Sequence, residues 1–340
     1  MRKRRQVPSQ TRPLPTVVED PVQALIRTLQ EQLHAPVLVY WTPTENNIAM
    51  EDGQVLRRIL DGQPKAEVLY LCLTSSGGNG LASLPIVRQL RQHCRRLVVL
   101  VPVQAASAAT MIALGADEVQ MGTCAYLTPV DTSLSHPLAP TYDDGKSVTV
   151  SQEEVTRVLA LWDKHNGHGS AHPLQHLFPF IHPLVIGAIE RSTSMSNRIC
   201  DTMLTYHMHQ KTQRQKVVSA LVGGYPSHAF PILVEEAAAI GIPAKPMRPE
   251  IESLLVRLVE SHVEKKITVY DVNGLMYERR TKTIIERLGL RATYSERITE
   301  IPVENDDDEE DKEPRWRRSG IGWQLHRDGS DEGIDIAIED

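Results

Sequence analysis

The chain has no run of about 18 consecutive apolar residues, so no transmembrane helix is expected. Its N-terminus, Met1-Arg-Lys-Arg-Arg-Gln-Val-Pro8, is basic but is followed by no apolar stretch, which excludes a secretory signal. Cysteine is sparse: Cys72, Cys94, Cys124 and Cys200 are scattered and form no CxxC pair. That argues against a disulfide framework and for reduced thiols in a cytoplasmic setting. Phosphate-binding signatures are missing too, with no P-loop and no GxGxxG after a strand, so no cofactor is expected. A net charge of −6 is too mild to call for nucleic acid or an anionic membrane as a partner.

What is present is a globular chain of 340 residues, 41% apolar, long enough for a large core. Residues 1–20 are polar and proline-containing and read as a disordered basic tail. Strand and helix patterns then alternate. Pro21–Leu33 is an amphipathic helix, Pro36–Trp41 a strand, Met50–Leu60 a helix and Glu67–Thr74 a strand. Leu81–Cys94 is a helix, Arg96–Val103 a strand, Ala108–Leu114 a helix and Glu118–Met121 a strand. Alternation of this kind predicts an α/β fold, a mostly parallel sheet with helices outside. Further on, Ser151-Gln-Glu-Glu154 has capping-box spacing and starts a helix to about Trp162. Residues 163–176 read as irregular, Leu184–His209 as a long helix and residues 248–262 as another. Residues 266–303 look partly ordered. Residues 304–340 open with a solvated acidic linker, Glu304 to Glu313, and close with a tail containing Trp316, Trp323 and Leu325. That tail either docks, on a partner or on its own domain, or is disordered.

Two strand-to-helix turns carry the chemistry. The first is Ser75-Ser-Gly-Gly-Asn-Gly80, where glycines let backbone N–H groups point at a ligand. The second is Gln104-Ala-Ala-Ser-Ala-Ala109, which sets Ser107 among small residues at a helix start. In a parallel sheet both turns lie at the carboxyl edge, where such sheets bind ligands. Ser107 has two readings: an ordinary N-cap, or a nucleophile beside unpaired N–H groups and the positive end of a helix.

Four groups of residues together resemble one family. They are Ser76-Gly77-Gly78, Ala106-Ser107-Ala108, Ile112-Ala-Leu-Gly-Ala-Asp-Glu118 and Pro129-Val-Asp131. With Ser227-His228 and Glu236-Ala-Ala-Ala-Ile-Gly241, they make residues 21–262 similar to the serine dehydrogenase proteinase family. That family sits in the ClpP/crotonase-like superfamily and is related to the signal peptide peptidases. The resemblance implies a spiral of β-β-α units over residues 21–265, serine peptidase chemistry and a homo-oligomer acting on a peptide or protein substrate. It also implies site residues. Ser107 is the nucleophile, and Asp131 and His228 fall at the two remaining triad positions, with histidine and aspartate interchanged relative to ClpP. His228 is then the base and Asp131 its orienter, since triads are defined by geometry and not by order. Gly77 and Gly78 are the oxyanion hole.

Each of these residues also has a plain structural reading: Asp131 as a turn cap, His228 bonded to a loop carbonyl. A lysine base, as in the signal-peptide-peptidase relatives, would be Lys146 or Lys164, and needs burial to lower its pKa. Ser76 and Asn79 depart from the family pattern of a proline before and an acid after the glycine pair. They keep open a catalytically silent scaffold that binds a protein partner, or a crotonase-like acyl-thioester enzyme. His165, His168, His172 and His176 have helical spacing, but Gly167, Gly169 and Pro173 interrupt a helix, and no metal is expected.

Overall fold

A computed structural model describes residues 20–130, 133–134, 136–139, 148, 150–166, 177–272, 275–301, 315–327 and 333–336. Helix α1, Pro21–Leu33, starts where the sequence predicts, because Asp20 accepts a hydrogen bond from the Val22 N–H and proline occupies the first turn. Strand β1, Val37–Trp41, is buried at every position. Val37, Val39 and Trp41 face α1 and α9 (Pro249–Glu264), while Leu38 and Tyr40 face α2 (Asp52–Leu60) and α3 (Ser83–Gln92). Coverage on both faces is why the strand reads as one apolar run with no alternation.

The parallel half of the sheet is β1, β2 (Ala66–Thr74), β3 (Cys94–Val101), β5 (Glu118–Met121) and β9 (Ala244–Pro246), in that spatial order. Two pairs of two-residue strands lie off it. β4 (Gln104–Ala105) runs parallel to β6 (Tyr126–Leu127), and β7 (Ser133–Leu134) antiparallel to β8 (Val150–Ser151). Helix α4, Ala108–Leu114, is buried at all seven positions. The alternating α/β order expected from the sequence is therefore present.

Three boundaries differ. Gly80–Ala82 is a 3-10 turn ahead of α3, and Cys94 belongs to β3 rather than to the helix. Helix α5, Gln152–Asn166, runs past Trp162 into the stretch expected to be irregular. The long helix expected from Leu184 to His209 is two: α6 (Pro183–Leu204) and α7 (Lys211–Gly223), joined by a short turn in which the Arg214 guanidinium binds Asp201 and the carbonyls of Met208 and His209. Helix α8, Val234–Ile240, ends at Gly241 in the left-handed conformation.

The C-terminal residues continue the main sheet. β10 (Ile267–Val272), β11 (Leu275–Arg287), β12 (Leu290–Ile301), β13 (Arg315–Arg327) and β14 (Ile334–Ile336) form an antiparallel meander. β11 joins it to β1, with Leu38 opposite Arg287 and Trp41 opposite Ile284. Trp323 and Leu325 of the tail pack on the core that also holds α2. All four cysteines are free thiols, only Cys124 is exposed, and no described helix is long and apolar enough to cross a membrane.

Candidate active site

The turn between β4 and α4 is built to display Ser107. Its backbone is at φ 51° and ψ −112°, one of two non-glycine residues at positive φ among those described. Such a conformation costs about 1–3 kcal/mol and persists only where surrounding bonds dictate it. Here two threonines dictate it. The Ser107 N–H donates to Thr128 Oγ1 at 2.9 Å, and Thr110 Oγ1 donates to the Ala105 carbonyl at 2.7 Å. Thr128 N–H closes the clasp on Thr110 Oγ1 at 3.2 Å. Although Ser107 occupies the N-cap position, its side chain makes no cap hydrogen bond. The ordinary cap reading fails, and the residue is half-buried.

The glycine turn packs against it. A Cβ at Gly77 would lie 2.8 Å from the Ser107 Cβ, 2.7 Å from the Ala106 carbonyl oxygen and 3.2 Å from the Ala108 nitrogen. Gly77 also has φ 102°, so glycine is demanded twice at this position. At Gly78 a Cβ would lie 2.4 Å from the Ile48 nitrogen. The loop after β1 thus lies flat on the turn: Ile48 N–H donates to the Gly77 carbonyl at 2.8 Å, and Asn79 N–H to the Ile48 carbonyl at 2.9 Å. The same loop reaches the other half of the sheet, where Asn46 Nδ2 donates to the Lys282 carbonyl at 2.7 Å and to Thr283 Oγ1 at 2.8 Å.

The two expected oxyanion donors differ in availability. The Gly77 N–H is engaged by Ser75 Oγ at 3.1 Å, which itself accepts from Thr42 Oγ1 at 2.7 Å. The Gly78 and Ala108 N–H groups have no acceptor among the described residues. Ala108 escaped the sequence reading because a backbone donor has no side-chain signature. Its position directly after the serine was the available signal.

The departures from the family pattern are structural. Asn79 Oδ1 accepts from the Leu81 N–H at 3.0 Å and caps the short turn. Ser76 Oγ accepts from Gln104 Nε2 at 2.9 Å, and Gln104 Oε1 in turn accepts from the Tyr126 hydroxyl. Ser76 thereby holds the glycine turn to β4 and β6, while Asn79 acts only within its own turn.

His228 is half-buried, in a turn closed by the Phe230 N–H on the Ser227 carbonyl. That turn leads to Ile232, which pairs with Leu127, the neighbour of the Thr128 that holds Ser107. That pairing sets Ile232, four residues after His228, against the segment that carries Thr128. Asp131 and Lys146 lie outside the described residues, and Lys164 is exposed on α5. Of the four spaced histidines, His168, His172 and His176 also lie outside them; among the described residues no cluster of three His, Cys, Asp or Glu side chains is placed to hold a metal.

Residues 20–151 match the family model of ClpP-like, SDH-type serine proteinases. The match spans both turns and indicates a peptidase-type function. Two proteins of Methanocaldococcus jannaschii, both uncharacterised, are similar in sequence. One is 26% identical over 68% of this chain and 72% of that protein, the other 33% identical over 27% and 32%. Similar solved structures include 1510-N, a membrane-bound stomatin-specific protease (15% identical, 67% of this chain, 85% of that one, TM-score 0.37). ClpP1 of Listeria monocytogenes is another (13% identical, 68% and 98%, TM-score 0.35).

Proposed function

We propose that the protein is a serine peptidase of the Clp-like class, independent of ATP, working through an acyl-enzyme on Ser107. The observation that carries this reading is the positive-φ turn that holds the Ser107 side chain out of its cap bond, beside a glycine pair. Strained strand-to-helix turns of this kind serve to expose a nucleophilic oxygen.

The steps are as follows. Ser107 Oγ attacks the scissile carbonyl carbon as His228 takes its proton, with Asp131 orienting the imidazole. The Gly78 and Ala108 N–H groups receive the oxyanion, and Gly77 contributes by having no side chain, so the two turns close to contact. The C–N bond breaks as His228 returns the proton to the amine. Water then attacks the ester, and its proton follows the same path. Each oxyanion donor of this type is worth about 3–4 kcal/mol of barrier. Self-association is supported by the apolar side chains Leu161, Phe180 and Leu184, which are exposed on or next to α5 and α6.

A fluorophosphonate probe tests the reading, because it labels only an activated serine. Labelling of the full chain is expected, with complete loss in Ser107→Ala and a loss of at least 10³-fold in His228→Ala. Labelling that survives Ser107→Ala overturns the proposal. An unlabelled wild-type protein leaves the silent scaffold or the acyl-thioester enzyme in its place.

A further inference from the structure

The antiparallel half of the sheet has one face on the core and one face that is unusually basic. On the second face, between the meander and helices α1 and α9, lies a cavity of about 520 Å³. Its floor contains His262, Arg291 and His326, all buried, and its rim contains Lys265, Arg279 and Arg297. No carboxylate lines it among the described residues. The carboxylates that neutralise these cations sit beside or behind them. Glu286 binds Arg291 Nε at 2.7 Å and His262 Nε2 at 2.5 Å, and Asp20 lies 2.9 Å from Arg291 and 3.4 Å from Lys265. Asp335 reaches Arg297 at 3.5 Å, but from solvent.

Two independent observations single out this face. First, buried polar atoms on this face have no partner: His262 Nδ1 and Arg279 Nε at the cavity, and Ser295 Oγ on the strand between. His262 is 1% exposed, so its orphaned nitrogen is not served by bulk water. An unsatisfied buried polar atom costs about 1–3 kcal/mol. Second, Arg279 and Arg297 are register partners across β11 and β12. Residues directly opposite in an antiparallel pair lie on one face, and like charges there repel. Among the described residues Arg279 Nε has no hydrogen-bond partner. Two arginines at opposite register positions, on a face that also holds buried polar atoms without partners, form a surface suited to an oxyanion.

We infer that this cavity is a binding site for a phosphate-bearing ligand, with the Arg279 and Arg297 guanidinium groups on the oxyanion and His262 beneath it. The site is separate from Ser107, and its existence does not depend on peptidase activity. A volume of this order accommodates a small organic group attached to the phosphate as well as free phosphate.

The test is calorimetric titration of the full chain with inorganic phosphate and with phenyl phosphate, together with thermal melting. Both ligands are expected to bind and to raise the Tm. Arg279→Gln and Arg297→Gln are each expected to weaken binding by about tenfold or more, and Arg279→Lys by less, because lysine keeps the charge but loses the fork. Arg95→Gln, on an exposed pair with Glu67, is expected to change nothing. Without ligand, Arg279→Gln is expected to melt higher than wild type, since the like-charge pair is gone. Tighter binding of the ester assigns the site to an organic phosphate, and equal binding assigns it to free phosphate. Absence of binding at about 20 mM of either ligand, affinities untouched by both arginine changes, or an Arg279→Gln protein that melts lower would overturn the inference.

Discussion

At the scale of single residues, the decisive fact is a backbone angle. Ser107 sits at φ 51°, where an alanine side chain is as strained as a serine and glycine is not. Ser107→Ala and Ser107→Gly should therefore both be inactive yet differ in stability. Urea unfolding should place Ser107→Gly about 1 kcal/mol above Ser107→Ala. A Ser107→Ala protein as stable as Ser107→Gly would mean that the turn is relaxed and that its geometry serves nothing. The place of this serine, at a turn between a strand and a helix, was legible in the sequence because small residues flank it there. Its angle was not, since no local pattern encodes the Thr110–Thr128 clasp, whose members stand 18 residues apart.

Elements are joined by charges where apolar packing runs short. Glu286 of β11 is fully buried and ties α9, through His262, to β12, through Arg291. Burial pushes its pKa up, but Arg291 and His262 win and hold it at about 2, below the usual 4.5. A carboxylate held low stabilises the fold above pH 4.5 and loses that contribution as pH falls toward 2. The unfolding free energy of the wild type should drop across that window. Glu286→Gln should flatten that part of the drop and lower stability at neutral pH, because it leaves the buried Arg291 with Asp20 as its one remaining carboxylate among the described residues. Urea titrations at several pH values measure both effects; an unchanged acid slope in Glu286→Gln would remove Glu286 as the cause. The parallel elements were legible as apolar runs with glycine and serine punctuation. The meander was not: β11 reads Leu-Met-Tyr-Glu-Arg-Arg-Thr-Lys-Thr-Ile-Ile-Glu-Arg, and its charges mask a strand whose polar side chains line a cavity.

For the whole molecule, the sheet has two halves and one seam. β1 lies between β2 and β11, so residues after 266 cover an edge that is otherwise bare. A chain ended at residue 265 would expose all of β1, a five-residue apolar strand, as an open edge. Such a truncation should aggregate or melt far below the full chain in light scattering and thermal unfolding. A soluble truncation with an unchanged melting curve would show that the meander is an accessory and no part of the core.

The arch from Thr42 to Ala49 is the short route between those halves. Asn46 is pinned to the β11 bulge, and two residues later Ile48 grips the glycine that touches the serine. Three hydrogen bonds thus link the C-terminal meander to the glycine turn that packs on Ser107, without passing through the core. A change in the meander that shifts Lys282 or Thr283 therefore has a short bonded path to the turn beside Ser107.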